Sequence, residues 1–400
     1  MPGLVDKRVV VILDNALLYF LIFLAIATGW WLGRRERRGT SSTVGSNYYT
    51  GLNYLLNEEP DRAVATFVEE LEVNVDTLET HVALGNLLRR RGEIEKAIVV
   101  HKNILTNPAL NFTDIEAVQL ELARDYFLAG LIDRAEEILL DLIEKQGASR
   151  NEALKLLLEI FEQGKDWVKA IDVAQRLAHG DEARRFEEAI SQYYCEIAEV
   201  LIDADKFDEA RVSLSNAIGH DALSARVSLL IGQLEFREAN YQAAILALER
   251  IKDQRPIYVP ESLKLLVAAH EASGSGTDQL QEYLHACLQT VPSISIVLIL
   301  AEIIRGESGD EAVAKFIADH LKQNPTIRGL SQLIDLHIDN TDGIAKENLA
   351  ILRSFTQALV AHKPAYQCKS CGFEGKVLRW SCPSCKSWGK TEPIFGLEGE

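Results

Sequence analysis

The sequence predicts a mostly α-helical protein: a superhelix of repeated helix pairs, with an apolar segment ahead of it and a small cysteine-bound ribbon behind it. Three observations predict this. Small residues recur at an offset of twelve through most of the chain, an uncharged apolar run stands near the amino terminus, and four of six cysteines crowd the last tenth. With 47% hydrophobic residues the chain has ample material for a packed core, and its richness in Ala, Leu, Ile and Glu suits helices.

Residues 1–15 are read as a short extension and residues 16–33 as a transmembrane helix. From Ala16 to Gly33 runs ALLYFLIFLAIATGWWLG, without one charge. As a helix it is roughly 27 Å long, enough to cross the hydrocarbon core of a bilayer. Trp30 and Trp31 stand at its end, where indoles favour the interface. Arg34, Arg35, Arg37 and Arg38 follow, against only Lys7 and Arg8 before it, so the positive-inside rule keeps the arginine side in the cytoplasm and the amino terminus outside. The rival is a cleaved signal peptide, with Ala25 and Ala27 as the small residues. Four arginines just after the cut resist export. Residues 34–46 are the basic stop-transfer stretch and a flexible linker, GTSSTVGS.

Residues 47–363 form the array. The small pairs are Gly51/Ala63, Gly85/Ala97, Ala123/Ala135, Ala198/Ala210 and Gly232/Ala244, with weaker copies at Leu158/Ala170, Ala268/Leu280 and Leu300/Ala312. In a tetratricopeptide unit a small residue on the first helix packs against another twelve positions later on the second. The second members step by roughly the 34 residues of that repeat. Asn107-Pro108, Val291-Pro292 and Asn324-Pro325 stand where one copy turns into the next. A generic αα-solenoid is the bland alternative. From Gly343 to His362 a closing helix is expected, with Leu349, Leu352 and Phe355 at helical spacing.

First helices line the inner wall of such a superhelix. That wall is expected to include Leu52, Leu55, Asn86, Arg89, Arg124, Phe127, Gln233 and Phe236, a mixed apolar and basic patch able to receive an extended partner segment. Asn86, Arg89, Arg124 and Phe127 are the candidate partner-binding residues. Solvated or neighbour-packed side chains are the alternative. Whether the array pairs with itself as a homodimer is open.

The net charge of −17 falls on the array, since residues 34–38 and the stretch after Lys363 are both net basic. Such a field repels phosphate backbones and excludes a nucleic-acid partner. Nine scattered His and many carboxylates share no constellation, so no catalytic residue is assigned and an enzyme is not expected. Cys195 and Cys287 stand alone in helical repeats and read as small core residues.

Residues 364–400 carry Cys368-x-x-Cys371 and Cys382-x-x-Cys385. Each pair makes a tight turn aiming two sulfurs at one point. Two such turns supply four thiolates in a tetrahedron, which suits zinc or a mononuclear iron and leaves no open position for hydrolytic chemistry. Phe373, Trp380 and Trp388 are expected to pack around the ribbon or against the last helices. So small a unit depends on its metal for folding energy.

Taken together, GWWLGRR (Gly29–Arg35), the helical copies and CPSCKSWGKTEPIFGLEG (Cys382–Gly399) resemble the lipopolysaccharide assembly protein B family. The resemblance covers the chain from the apolar segment onward and is most specific in the tail, whose knuckles resemble rubredoxin. It implies an iron site held by Cys368, Cys371, Cys382 and Cys385. It also implies an inner-membrane, cytoplasm-facing adaptor that helps the membrane protease FtsH degrade the deacetylase LpxC, with other inner-membrane envelope-assembly proteins as further partners. One departure is that about fifteen residues precede the apolar segment, which in the family usually starts close to the initiator Met. Either the start is placed too early or this relative has a short outer extension. Two further readings are a rubredoxin-like electron-transfer protein and a structural scaffold for envelope-biogenesis enzymes.

Overall fold

A computed structural model describes residues 20, 22–31, 50, 51, 53, 54, 57, 59–66, 77–108, 110–145, 147–361 and 363–400. Residues 22–31 are helical, with Phe23, Ile26, Trp30 and Trp31 exposed. The rest of the expected spanning segment, the arginines after it and the linker lie outside the described residues, as do Leu52 and Leu55. Among the described residues no helix is long and apolar enough to cross a membrane.

The chain forms two compact units, residues 1–153 and 154–400. In the first, the helices are α1 (Pro60–Ala65), α2 (Leu78–Arg90), α3 (Ile94–Leu105), α4 (Phe112–Leu128) and α5 (Ile132–Glu144). Ala63, Ala97, Ala123 and Ala135 are fully buried, as the offset-of-twelve pattern requires. Leu84, Leu88, Val100, Ile104 and Val118 fill the space around the first of them. At Gly85 the small residue makes room for a neighbour: a Cβ there would lie 2.4 Å from Nε2 of the buried His101. Asn111 starts α4 by accepting a hydrogen bond from the Asp114 backbone N–H at 2.8 Å.

The second unit contains α6 (Arg150–Gly164, where the division falls), α7 (Trp167–Leu177), α8 (Ala183–Asp203), α9 (Phe207–His220), α10 (Ala225–Arg237) and α11 (Tyr241–Glu249). After short turns at Ile251–Gln254 and Pro256–Tyr258 come α12 (Val259–Ser273), α13 (Thr277–Leu288), α14 (Ile294–Gln323), α15 (Ile327–Asp339) and α16 (Ile344–Ala361). Ala170, Ala198, Ala210 and Ala244 are again fully buried.

One turn joins the two helices of each early pair. The residue after the cap is left-handed: Gly92 and Gly130 in the first unit, then Lys165 (φ 56°), Asp205 (φ 58°) and Ala239 (φ 61°) in the second. The next backbone N–H reaches back to the helix, as in Glu93 to the Leu88 carbonyl (2.9 Å), Lys206 to Leu201 (2.9 Å) and Asn240 to Glu235 (2.8 Å). This six-to-one closure satisfies carbonyls that the helix end leaves open.

In the last two weaker copies Leu280 and Leu300 are buried as expected, but the other member of each pair is out of register. Ala268 and Ala312 are only half-buried, while the next residues, Ala269 and Val313, face the core. The pair marked by Leu300 and Ala312 is two helices, both within the range given as α14, that meet at a non-helical corner at Gly309 (φ 79°, ψ 178°). The closing helix exists as α16, but Leu352 is 50% and Phe355 61% exposed. It meets α15 through the neighbouring face instead, where Thr356 is buried and Arg353 pairs with Asp335 at 2.7 Å.

Three short antiparallel strands end the fold: β1 (Tyr366–Cys368), β2 (Glu374–Gly375) and β3 (Thr391–Pro393), in the order β2-β1-β3. Tyr366 pairs with Gly375 on one side and Pro393 on the other.

A left-handed alanine costs about 1–2 kcal/mol, which glycine avoids at some expense in unfolded-state entropy. Ala239 is exposed, so no packing is lost on its removal. Ala239→Gly is therefore expected to stabilise the second unit by about 0.5–1 kcal/mol in urea titration.

Candidate metal centre and its docking face

Both knuckles are built alike. Cys368 N–H donates to the Phe373 carbonyl at 2.8 Å, and Cys382 N–H donates to the Ser387 carbonyl at 3.0 Å. Gly372 (φ 76°) and Lys386 (φ 58°) occupy matching left-handed positions after the second cysteine of each pair. Their N–H groups close the turns on the Cys368 and Cys382 carbonyls, each at 2.9 Å. The glycine is thus a preference and not a requirement, since the second knuckle makes the same turn with lysine.

The four sulfurs converge. Cys368 Sγ lies 3.7 Å from Cys385 Sγ, Cys371 Sγ lies 3.6 Å from Cys382 Sγ, and all four are within 4.8 Å of one another. Tetrahedral thiolates with metal–sulfur bonds of about 2.3 Å sit roughly 3.8 Å apart, so the cluster fits one metal ion. Cys368 and Cys382 are buried, whereas Cys371 and Cys385 face outward. Burial pushes the Cys382 thiol up to about 11, and hydrogen bonds with Ser387 bring Cys385 down to about 6. A cation at the centre favours the thiolate at all four.

The ribbon does not rest on the last helices alone. It lies along the first helices of successive pairs, from α6 to α15. Trp388 donates from Nε1 to Glu162 Oε1 at 2.8 Å, and the buried Tyr193 hydroxyl donates to the same oxygen at 2.6 Å. Trp388 stands edge-on to Tyr193 and Trp167, at 5.6 and 5.9 Å between centroids. Burial beside Glu162 raises the Tyr193 pKa far above the ordinary tyrosine value, so this hydroxyl remains a donor.

Further along, Trp380 packs on Tyr258 at 5.1 Å, with the Arg226 guanidinium 5.7 Å from its ring centroid. Tyr258 donates to the Thr391 carbonyl at 2.8 Å, and Tyr366 donates to Glu261 at 2.7 Å. Lys390 pairs with Glu188 at 3.2 Å. At the far end the Glu400 carboxylate accepts from the Ser293 and Ser295 hydroxyls, both at 2.8 Å, from the Ser295 N–H at 3.2 Å and from Arg328. Phe373 takes no comparable place and is 38% exposed. Aromatic rings with one polar atom suit such a face, because each buries a large area and still finds a partner for its N–H or O–H.

The expected groove residues fall in two places. Asn86, Arg89 and Arg124 come together in the first unit within a network of charges. Arg89 donates to Asp125 Oδ1 at 2.8 Å, to Glu121 Oε2 at 2.5 Å and to Asn86 Oδ1 at 2.6 Å. Arg124 pairs with the other oxygen of Glu121 at 2.5 Å, and His101 Nδ1 lies 2.5 Å from Asp125 Oδ2. Phe127 is half-buried. In the second unit Gln233 is half-buried and Phe236 packs against Tyr241 at 5.5 Å. Glu121, Asp125 and His101 were absent from the sequence-based list. Their signal was present: the two acids lie about one repeat after Arg89, where α4 repeats the face of α2.

These features define a tetratricopeptide-repeat protein that carries a rubredoxin-type metal ribbon on its first-helix wall. The tetratricopeptide repeat model matches residues 120–186 and 195–256, and the model described as rubredoxin metal binding domain matches residues 366–393. Lipopolysaccharide assembly protein B of Escherichia coli strain K12 is 35% identical over 389 residues, covering 96% of this chain and 99% of the relative. The Haemophilus influenzae protein of that name is 30% identical over 395 residues, with the same coverage. The chain belongs to the lipopolysaccharide assembly protein B family.

Asp125 is fully buried, and losing one partner from a buried ion pair typically costs several kcal/mol. Arg89→Ala is expected to lower the stability of the first unit by about 3 kcal/mol in denaturant titration. Chelation of the metal should raise hydrogen exchange in residues 366–393 and also at α6 and α8, where Trp388 docks. Exchange that stays unchanged in those helices would show that the ribbon holds its face without the ion.

Proposed function

We propose that the chain is an inner-membrane-anchored adaptor in lipopolysaccharide assembly, with the repeat array and metal ribbon in the cytoplasm and the amino terminus in the periplasm. Its task is to bring the deacetylase LpxC to the protease FtsH. The names of the relatives support the pathway. The family resemblance supports the two partners and the iron in the centre, for which zinc is the alternative.

The observation that carries a non-catalytic role is the use made of the ribbon. All four sulfurs converge on one point, leaving no protein-free coordination position for substrate, and Trp380 and Trp388 beside them are committed to the helices. Such a centre stiffens a binding scaffold. Anchoring adaptor and protease in one membrane raises their effective concentration without tight contacts.

The outward placement of Cys371 and Cys385 favours a second reading, electron transfer, because it leaves an edge of the site accessible. The readings separate by experiment. Membrane pull-downs would compare the wild type, Cys382→Ser and a variant lacking residues 1–33, with LpxC abundance measured in parallel. The adaptor reading expects LpxC and FtsH to co-purify with the wild type, and LpxC to accumulate in cells carrying either variant. Zinc-loaded protein should act as well as iron-loaded protein. Loss of function on zinc loading would favour electron transfer, and recovery of neither partner would overturn the adaptor.

A further inference from the structure

A cleft of about 740 Å³ lies between α6, α8 and the second knuckle of the ribbon. Its volume is that of a ligand site and not of a packing defect. Leu158 of α6, Phe186 and Tyr193 of α8 and Trp388 of the ribbon supply the apolar lining, and the first three are buried. Lys155, Glu159, Arg185 and Lys386 line it as well and are exposed, so the cleft is open along a charged rim.

The charges are sorted by position. Lys155 reaches Glu182 at 3.2 Å, and Glu162 accepts from Tyr193 at 2.6 Å, so α6 and α8 run side by side in the same direction. Lys155 and Arg185 therefore stand at the end of the cleft nearer the helix starts, where Arg185 shares the Glu182 carboxylate at 3.6 Å. The positive pole of the α8 dipole falls at the same end, since Arg185 is in the first turn of that helix. Glu159 and Glu162 stand further along α6, four and seven residues past Lys155, toward Trp388, whose indole N–H Glu162 accepts. Of the other lining charges, Glu188 and Lys390 pair with each other at 3.2 Å. Lys386 follows Cys385, where it offsets the charge of thiolates around a metal ion. One end of the cleft is thus basic and the other acidic.

A dipolar cleft suits a dipolar occupant. At about 1.5 Å per helical residue, Lys155 is separated from the two acids by roughly 6–10 Å. Two or three residues of extended chain cover the same distance. The open rim lets both ends of a chain leave the cleft, whereas a small molecule is held where most of its surface is buried. A purely acidic segment is repelled by a body of charge −17, and a purely basic one by Lys155 and Arg185.

We infer that this cleft receives an extended segment of a partner protein, with an acidic, a large apolar and a basic residue within four consecutive positions. The acidic residue meets Lys155 and Arg185, the apolar one packs on Phe186 and Trp388, and the basic one meets Glu159 and Glu162. The inference deepens the adaptor reading and rests on it for the existence of a protein partner. Because the ribbon forms one wall, the site exists only while the ribbon is docked.

The test pans a randomised heptapeptide display library against the full chain in detergent. The expected consensus has an acidic and a basic residue two or three positions apart, with a large apolar residue between them. The synthetic consensus peptide is then titrated by fluorescence anisotropy against the wild type, Arg185→Glu and Glu159→Lys. Both altered side chains are exposed, so each variant should keep its helical circular dichroism and its metal content. Each is expected to bind about fivefold more weakly. Glu159→Lys should recover affinity for a peptide whose basic residue is exchanged for Glu, which a merely structural role for Glu159 would not produce. A library without a consensus, a consensus without the charge pair, variants that bind as tightly as the wild type, absence of that recovery, or full displacement of the peptide by inorganic pyrophosphate would each overturn the inference. Co-purification of the proposed partners from membranes alongside any of these results would leave the adaptor reading in place and remove only this cleft.

Discussion

The second unit depends on one carboxylate oxygen. Glu162 Oε1 receives the indole N–H of Trp388 from the ribbon and the hydroxyl of Tyr193 from α8. Its own helix, α6, is thereby joined to both. A buried hydroxyl and a half-buried indole N–H converge on a charged acceptor, and hydrogen bonds to charged groups are the stronger kind. The rings that bring the donors there, Trp167, Tyr193 and Trp388, pack against one another. The last of the four cysteines, Cys385, stands three residues before Trp388, so the geometry of the sulfurs sets the position of the indole.

The same division of labour recurs along the ribbon. Apolar area is supplied by Trp380 and Tyr258, while direction is supplied by single polar atoms meeting Thr391, Glu261 and Ser293. The ribbon has little core of its own. A solenoid contacts only nearest neighbours, so it bends easily over its length. A strut touching first helices from α6 to α15 couples pairs that would otherwise move independently. The centre is suited to this because it closes a short chain segment into a rigid body at small cost in residues.

Ion pairs do the corresponding work between adjacent pairs. Arg89 reaches Glu121 and Asp125 in the first unit, and Arg226 reaches Glu196 and Glu199 in the second, where only 3% of the arginine side chain is exposed. In both cases the partner lies close to one repeat away in sequence. A repeat places chemically equivalent positions side by side, so a basic residue on one copy and an acidic one on the next become neighbours. Such arginines look free in the sequence. In the folded chain they are neutralised, and a partner reaching them must displace a carboxylate.

What the amino-acid order determined alone was everything carried by local spacing. The offset of twelve located the buried alanines of the early helix pairs, since close helix approach needs small side chains on both partners. The two C-x-x-C turns located the four sulfurs, because each turn is closed by its own backbone hydrogen bonds. Tertiary structure decided the rest. It shifted the core positions to Ala269 and Val313, where the pairs no longer stack in ideal register. It also sent the ribbon back along the first helices from α6 to α15. That path was not legible because Glu162 and Trp388 are 226 residues apart. No local preference records a contact whose two halves meet only after every intervening helix has taken its place.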